Sequence, residues 1–187
     1  MTKKNLLVYG VIALLFAGVG AYLSARSKAT APATSTTAST SASSAPTPVA
    51  ALFAQSMNDV AGKSQALAQY KGKALLVNFW APWCGPCVQE MPELSTLSTE
   101  VAAQGINIIG VGIDSPTNIA QFSTKYKIAY PIYVAGMAGT DLASKLGNTA
   151  GGLPYTVLIG ADGQVKKTYL GRLKFDELKA DLAALKS

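Results

Sequence analysis

With 187 residues, 49% of them hydrophobic and 14% charged, the chain has room for one globular domain and one further, unusually apolar segment. The formal net charge is +6, but Lys3, Lys4, Arg26 and Lys28 flank a single apolar run, which leaves twelve basic residues against ten acidic ones elsewhere. No basic stripe is interleaved with aromatics, which excludes a nucleic-acid partner, and two cysteines without any histidine are too few ligands for a zinc site within one chain.

Residues 5–25, NLLVYGVIALLFAGVGAYLSA, carry no charge. At about 1.5 Å of rise per residue they span the roughly 30 Å hydrocarbon core of a bilayer, and they predict a membrane anchor over residues 1–25. A cleaved signal peptide is the competing reading. Lys3 and Lys4 supply its basic start, but Leu23-Ser24-Ala25 sets a bulky residue where cleavage favours a small one. No cysteine follows the run, so a lipid-modified lipoprotein is excluded.

Residues 26–50 hold the tract ATAPATSTTASTSASSAPTPVA, whose composition predicts a flexible linker that buries too little apolar surface to fold. At roughly 5–6 Å times the square root of ~20 residues, it holds a domain about 25 Å from its attachment. The basic residues on the two sides of the apolar run nearly balance, so they leave its orientation open. The uncharged stalk is typical of exported segments, and it places the domain of residues 51–187 outside the cytoplasm. The expectation is a single-pass protein of a bacterial inner membrane whose domain faces the periplasm or extracytoplasmic space.

Within that domain, LFAQSMNDVAGKSQAL predicts an edge hairpin. Residues 75–80 form a short apolar β-type run, and residues 84–104 carry Met91, Leu94, Leu97 and Val101 at helical spacing. INIIGVGI, residues 106–113, is a second buried-strand run, and Asp114-Ser115-Pro116 starts a helix that reaches about residue 127. A right-handed crossover lays the two strands parallel. Tyr130-Pro131 reads as a structural loop-to-strand proline. Residues 140–146 predict a short helix closed by Gly147, and YTVLIGADGQVKKTYLG predicts two strands joined at Asp162-Gly163. Phe175, Leu178, Leu182 and Leu185 stripe a terminal helix over residues 175–186.

Both cysteines lie in FWAPWCGPC, where the first long strand meets its helix. Cys84, at the helix N-terminus, sits where unpaired N–H groups and the macrodipole favour a thiolate, which assigns it as the nucleophile. Cys87 falls one turn along, turned toward the protein body, as the thiol that resolves a mixed disulfide. A helix terminus lowers a thiol from ~8.5 toward ~7, whereas the ~3.5 of a strong oxidant needs about 7 kcal/mol. Gly85 and Pro86 bring no side-chain donor, so the residues predict a reductant. Trp83 and Pro86 form the apolar rim that receives substrate; Phe79 and Trp80 belong to the core. Glu90, at Cys87 plus three, is placed to exchange the proton of Cys87, against the alternative of a water-facing glutamate that complements the helix dipole.

FWAPWCGPC after a strand, with GGLPYT opening another strand far downstream, resembles the thioredoxin fold over nearly all of residues 51–187. The anchor, the longer insert and CVQEMPEL after the motif make the chain most similar to the membrane-anchored TlpA/ResA group. That resemblance implies an α/β thioredoxin-like fold, a central mixed β-sheet flanked by helices, following an N-terminal transmembrane helix and a flexible linker. It implies a thiol-disulfide oxidoreductase that reduces protein disulfides with no cofactor and no metal. Pro154 is then a cis-proline beside the dithiol, its loop with Leu153 pairing with an extended substrate segment, and Glu90 is a partner of the active site. Asn78 departs from thioredoxin, which has an aspartate there; an amide takes no proton, so that duty passes to Glu90 or to water. The implied partners are protein substrates with disulfides, such as apocytochrome c or copper-chaperone proteins of copper-site assembly. A transmembrane thiol donor of DsbD/CcdA type recharges the dithiol.

Three other readings compete. A peroxiredoxin needs Pro-x-x-x-Thr/Ser-x-x-Cys, and Pro82 stands only two residues before Cys84. A structural disulfide closing so small a ring constrains the unfolded chain little. A non-enzymatic tethered binding or chaperone module on the same scaffold is distinguished by an activity that survives Cys84→Ser.

Overall fold

The computed structural model describes residues 47–185. The anchor expected over residues 1–25, and the linker up to residue 46, lie outside the described residues. Among the described residues no helix is long and apolar enough to cross a membrane.

The first element begins inside the stretch that reads as stalk. Helix α1, Pro48–Phe53, is capped by Thr47, whose Oγ1 accepts the Ala50 N–H at 3.2 Å, and Pro48 fills the first turn, where a missing N–H costs nothing. Val49, Leu52 and Phe53 are buried, so three apolar side chains at the end of a polar tract dock this turn of helix on the domain. The edge hairpin follows as β1, Ser56–Asp59, and β2, Ser64–Ala66, in the register Ser56↔Ala66. Asp59 closes its turn by accepting from the Ala61 and Lys63 N–H groups, and Gly62 supplies the φ of +80°.

Strand β3, Ala74–Trp80, is the centre of the molecule. It runs parallel to β4, Ile106–Gly112, and antiparallel to β6, Tyr155–Ile159. Side chains alternate across a strand, and here both sets are buried. Leu76 and Trp80 join one core with Met91, Leu94, Ile108 and Leu178, while Leu75, Val77 and Phe79 join another with Leu52, Ile109, Val111 and Leu142. This explains why β3 reads as a continuous apolar run. The full sheet has the order β2-β1-β5-β4-β3-β6-β7, where β5 is Ile132–Val134 directly after Pro131, and β7 is Val165–Leu170.

The helices fall close to where their caps predict them. Helix α2, Gly85–Ala102, continues past Pro92, and α3, Pro116–Lys125, is capped by the Ser115 hydroxyl, which accepts the Asn118 N–H at 3.3 Å. Helix α4, Ala138–Lys145, opens two residues before the expected start, and Gly147 takes φ +110° after it. Tyr155 donates its hydroxyl to the Leu146 carbonyl at 2.9 Å, which ties the end of α4 to β6. Helix α5, Phe175–Ala184, buries Phe175, Leu178 and Leu182, and Lys167 of β7 reaches both Glu177 and Asp181 at 2.7 Å. Helices α2, α3 and α5 supply one core, α1 and α4 the other. The result is the expected α/β arrangement of a mixed sheet with helices on both faces.

Candidate active site

The end of β3 is fixed before the dithiol begins. The Trp80 carbonyl accepts the Ile113 N–H at 2.8 Å, and the chain then turns through Ala81-Pro82-Trp83, with the Cys84 N–H bonded to the Ala81 carbonyl at 3.1 Å. Cys84 is the N-cap of α2 in extended backbone conformation. Its sulfur accepts the Cys87 N–H at 3.3 Å, the place that a serine or aspartate oxygen takes in an ordinary cap. Pro86 sits in the first turn of the helix, where no N–H is required.

Cys84 and Cys87 are joined as a disulfide with their Cα atoms 5.3 Å apart, the oxidised form of an exchange pair. In this oxidised state both sulfur-bearing residues are buried: Cys84 is 6% exposed and Cys87 not at all. What stands open is the rim around them. Trp83 is 69% exposed, and Gly85 and Pro86 are exposed as well. Phe79 and Trp80 are fully buried, as expected of core residues.

The Leu153-Pro154 peptide is cis, in keeping with the expectation for this loop. The Pro154 carbonyl is already taken by the Gly171 N–H at 2.9 Å, and proline has no N–H to offer. The backbone of Leu153 makes no hydrogen bond within the described residues. Asn148 holds the preceding turn by donating to the Gly152 carbonyl at 2.9 Å.

Glu90 lies one turn beyond Cys87 and does not face water; it is wholly buried. Oε1 accepts from Asn78 Nδ2 at 2.8 Å and Oε2 accepts from the Leu173 N–H at 2.9 Å. Burial pushes its carboxyl up to about 7, although the Leu173 and Asn78 donors and the charge of Arg172 pull it down. A carboxyl of that acidity releases and takes up protons in the range where thiols exchange them. Asn78 donates also to Thr156 Oγ1 at 3.0 Å, its register partner on β6. A buried polar chain thus runs from the turn before α5 through α2 and β3 to β6. Tyr130 joins its surroundings as a buried hydroxyl whose pKa is driven upward by desolvation and by the nearby charge of Glu90.

Sequence reasoning did not assign Thr156 or Leu173 to the site. Thr156 is the one polar residue in the strand YTVLI, two places after Pro154, and that is a usable signal. Leu173 contributes a backbone N–H, which no residue type announces.

Comparison with known proteins follows the same lines. The redoxin family profile matches residues 28–182. The thiol-disulfide oxidoreductase ResA of Geobacillus thermodenitrificans is 32% identical over 133 residues, covering 70% of this chain and 73% of that protein. The crystal structure of a thioredoxin-family thiol:disulfide interchange protein from Chlorobium tepidum TLS superposes with a TM-score of 0.65 at 26% identity, over 78% of this chain and all of that one (100%). The structure of MTB dsbF, at 23% identity and a TM-score of 0.62 over 72% of this chain and 97% of that one, shares the fold.

Proposed function

Because the chain belongs to the redoxin family, among its ResA-type thioredoxin-like members, and is a protein disulfide oxidoreductase, we propose that it works as a reductant of client disulfides outside the cytoplasm. The observation that carries this reading is the Cys84–Cys87 pair at the cap of α2, with the buried Glu90, its carboxyl pushed up to about 7, one turn further on.

The reduced protein attacks with the Cys84 thiolate on one sulfur of a client disulfide. A Cys84–client disulfide forms, the client S–S bond breaks, and the first client sulfur leaves as a thiolate. Cys87 then loses its proton, and Glu90 is the group that receives it. The Cys87 thiolate attacks Cys84 Sγ, the second client sulfur leaves, and the Cys84–Cys87 disulfide remains. Two electrons have moved to the client, and a dithiol donor returns the protein to its reduced form.

What surrounds the nucleophile supports that direction. The donor to Cys84 Sγ is a single backbone N–H, that of Cys87, and no side-chain donor joins it among the described residues. That environment stabilises a thiolate modestly, as in reducing members of the fold. Equilibration of the purified domain with glutathione or dithiothreitol buffers is expected to give a potential well below that of a strong oxidase. A value more positive than about −150 mV overturns the reductant assignment.

The resemblance to TlpA/ResA proteins makes the cysteines of apocytochrome c or of copper-site assembly factors the leading clients, with a transmembrane thiol donor of DsbD/CcdA type to recharge the dithiol. The uncharged run of residues 5–25 and the charge-free stalk after it support a protein held in a bacterial inner membrane with its domain on the outer side. Full-length chain is expected to stay with membranes washed in alkaline carbonate; its release into the supernatant removes the anchor.

A further inference from the structure

A groove of about 740 Å³ opens beside the dithiol, between Trp83 and Leu153 and the turns that follow β1, β4 and β5. Its size lies in the range that holds several side chains of a ligand. Val60 of the hairpin turn and Met137 ahead of α4 line it, and Met137 is 78% exposed. Three apolar side chains left open around one concavity, Val60, Trp83 and Met137, mark a surface built to be covered.

The charge in this groove has one sign. Asp59 and Asp114 line it, and no lysine or arginine does, although the chain as a whole is basic. Neither carboxylate has an ion-pair partner among the described residues. The Gln65 side chain and the Lys63 N–H hold Asp59 below the usual carboxylate range, with the Lys63 charge a lesser influence, and the Ser115 N–H and Asn118 side chain do the same for Asp114. Both therefore stay ionised at neutral pH. Asn148 lines the same groove and is 6% exposed; its Nδ2 is used by Gly152, while its Oδ1 has no partner among the described residues.

Resting on the reading of the protein as a disulfide exchanger, we propose that this groove selects clients whose disulfide-bearing segment carries a lysine or arginine next to the cysteine. The cation meets Asp59 and Asp114 while an apolar neighbour of the cysteine fills the space between Trp83 and Met137. The occupant is an extended, cationic stretch of a client protein, its cysteine delivered to Cys84 as the segment passes Leu153.

The test uses synthetic peptides that differ only beside a cysteine held in disulfide linkage to thionitrobenzoate: Lys-Phe, Ser-Phe or Glu-Phe. Release of the coloured thiolate by the reduced protein at low ionic strength is expected to be about tenfold faster for the lysine peptide than for the glutamate peptide. The double variant Asp59→Asn, Asp114→Asn keeps the oxygens that close the two turns and is expected to bring the rates within about twofold of each other, as is about 0.5 M salt with the unaltered protein. Equal rates in the unaltered protein, or a preference undiminished in the double variant, overturn the proposal. Hydroxyethyl disulfide, small and uncharged, separates the two levels. Failure to react with it sinks the exchange reading itself, whereas normal reaction with it and no charge preference among the peptides sinks only the groove's role.

Discussion

Cys84→Ser loses disulfide exchange by at least about a thousandfold, because the serine hydroxyl is not ionised where the thiol is and the remaining sulfur, Cys87, is wholly buried. Cys87→Ala behaves differently. It retains the first attack and lacks the second, so the protein accumulates as a covalent adduct with its client. Mass spectrometry of the alkylated mixture measures both outcomes, and trapping the Cys87→Ala adduct in cells names the client. Exchange at an unaltered rate in Cys84→Ser, or no adduct on Cys84 in the Cys87→Ala protein, removes the division of labour between the two sulfurs and favours a tethered binding module.

The second large effect concerns Glu90. Its carboxyl titrates near 7 in the fold against about 4.5 in the unfolded chain, because burial disfavours the charged form. The folded state therefore holds the proton more tightly. The stability this contributes is complete below about 4.5 and is lost as pH rises through 7, a change of about 3 kcal/mol for a shift of this size. The oxidised protein is expected to become easier to unfold in urea between pH 5 and 8, and Glu90→Gln is expected to flatten that slope. The window matters, since the carboxyls of Asp59, Asp114, Asp162 and Asp181 are all lowered and add their stability in the opposite sense at more acid pH. The same variant reports on chemistry. If Glu90 receives the proton of Cys87, resolution of the mixed disulfide loses its dependence on a group near 7 in Glu90→Gln. An identical pH profile for both proteins takes Glu90 out of the proton path.

Much of this was readable in the residues, for reasons that differ from element to element. The runs of β3 and β4 stand out because both of their faces are buried, and α2 and α3 because a capping residue and an early proline precede an apolar stripe. The dithiol and the Pro154 loop carry rare residue combinations. Helix α1 was hidden because its start lies in an alanine, threonine and proline tract whose composition argues for a stalk, and only the docking of Val49, Leu52 and Phe53 decides otherwise. The environment of Glu90 was half legible: its spacing from Cys87 shows in the sequence, but whether it meets water or the Leu173 N–H depends on where a turn 83 residues further along the chain comes to rest. The groove at Trp83 is lined by five separate segments, so nothing local encodes it.

The alternation along β3 has a consequence for how this chain tolerates change. Odd-numbered residues serve one core, and even-numbered ones serve the other together with the carboxyl partner Asn78. Deleting or inserting a single residue within the strand exchanges the two sets, so it strips Glu90 of its amide at the same moment as it turns the hydrocarbon interior inside out. Redox chemistry and architecture are thus written in one reading frame, and natural variation in length has to be confined to the loops.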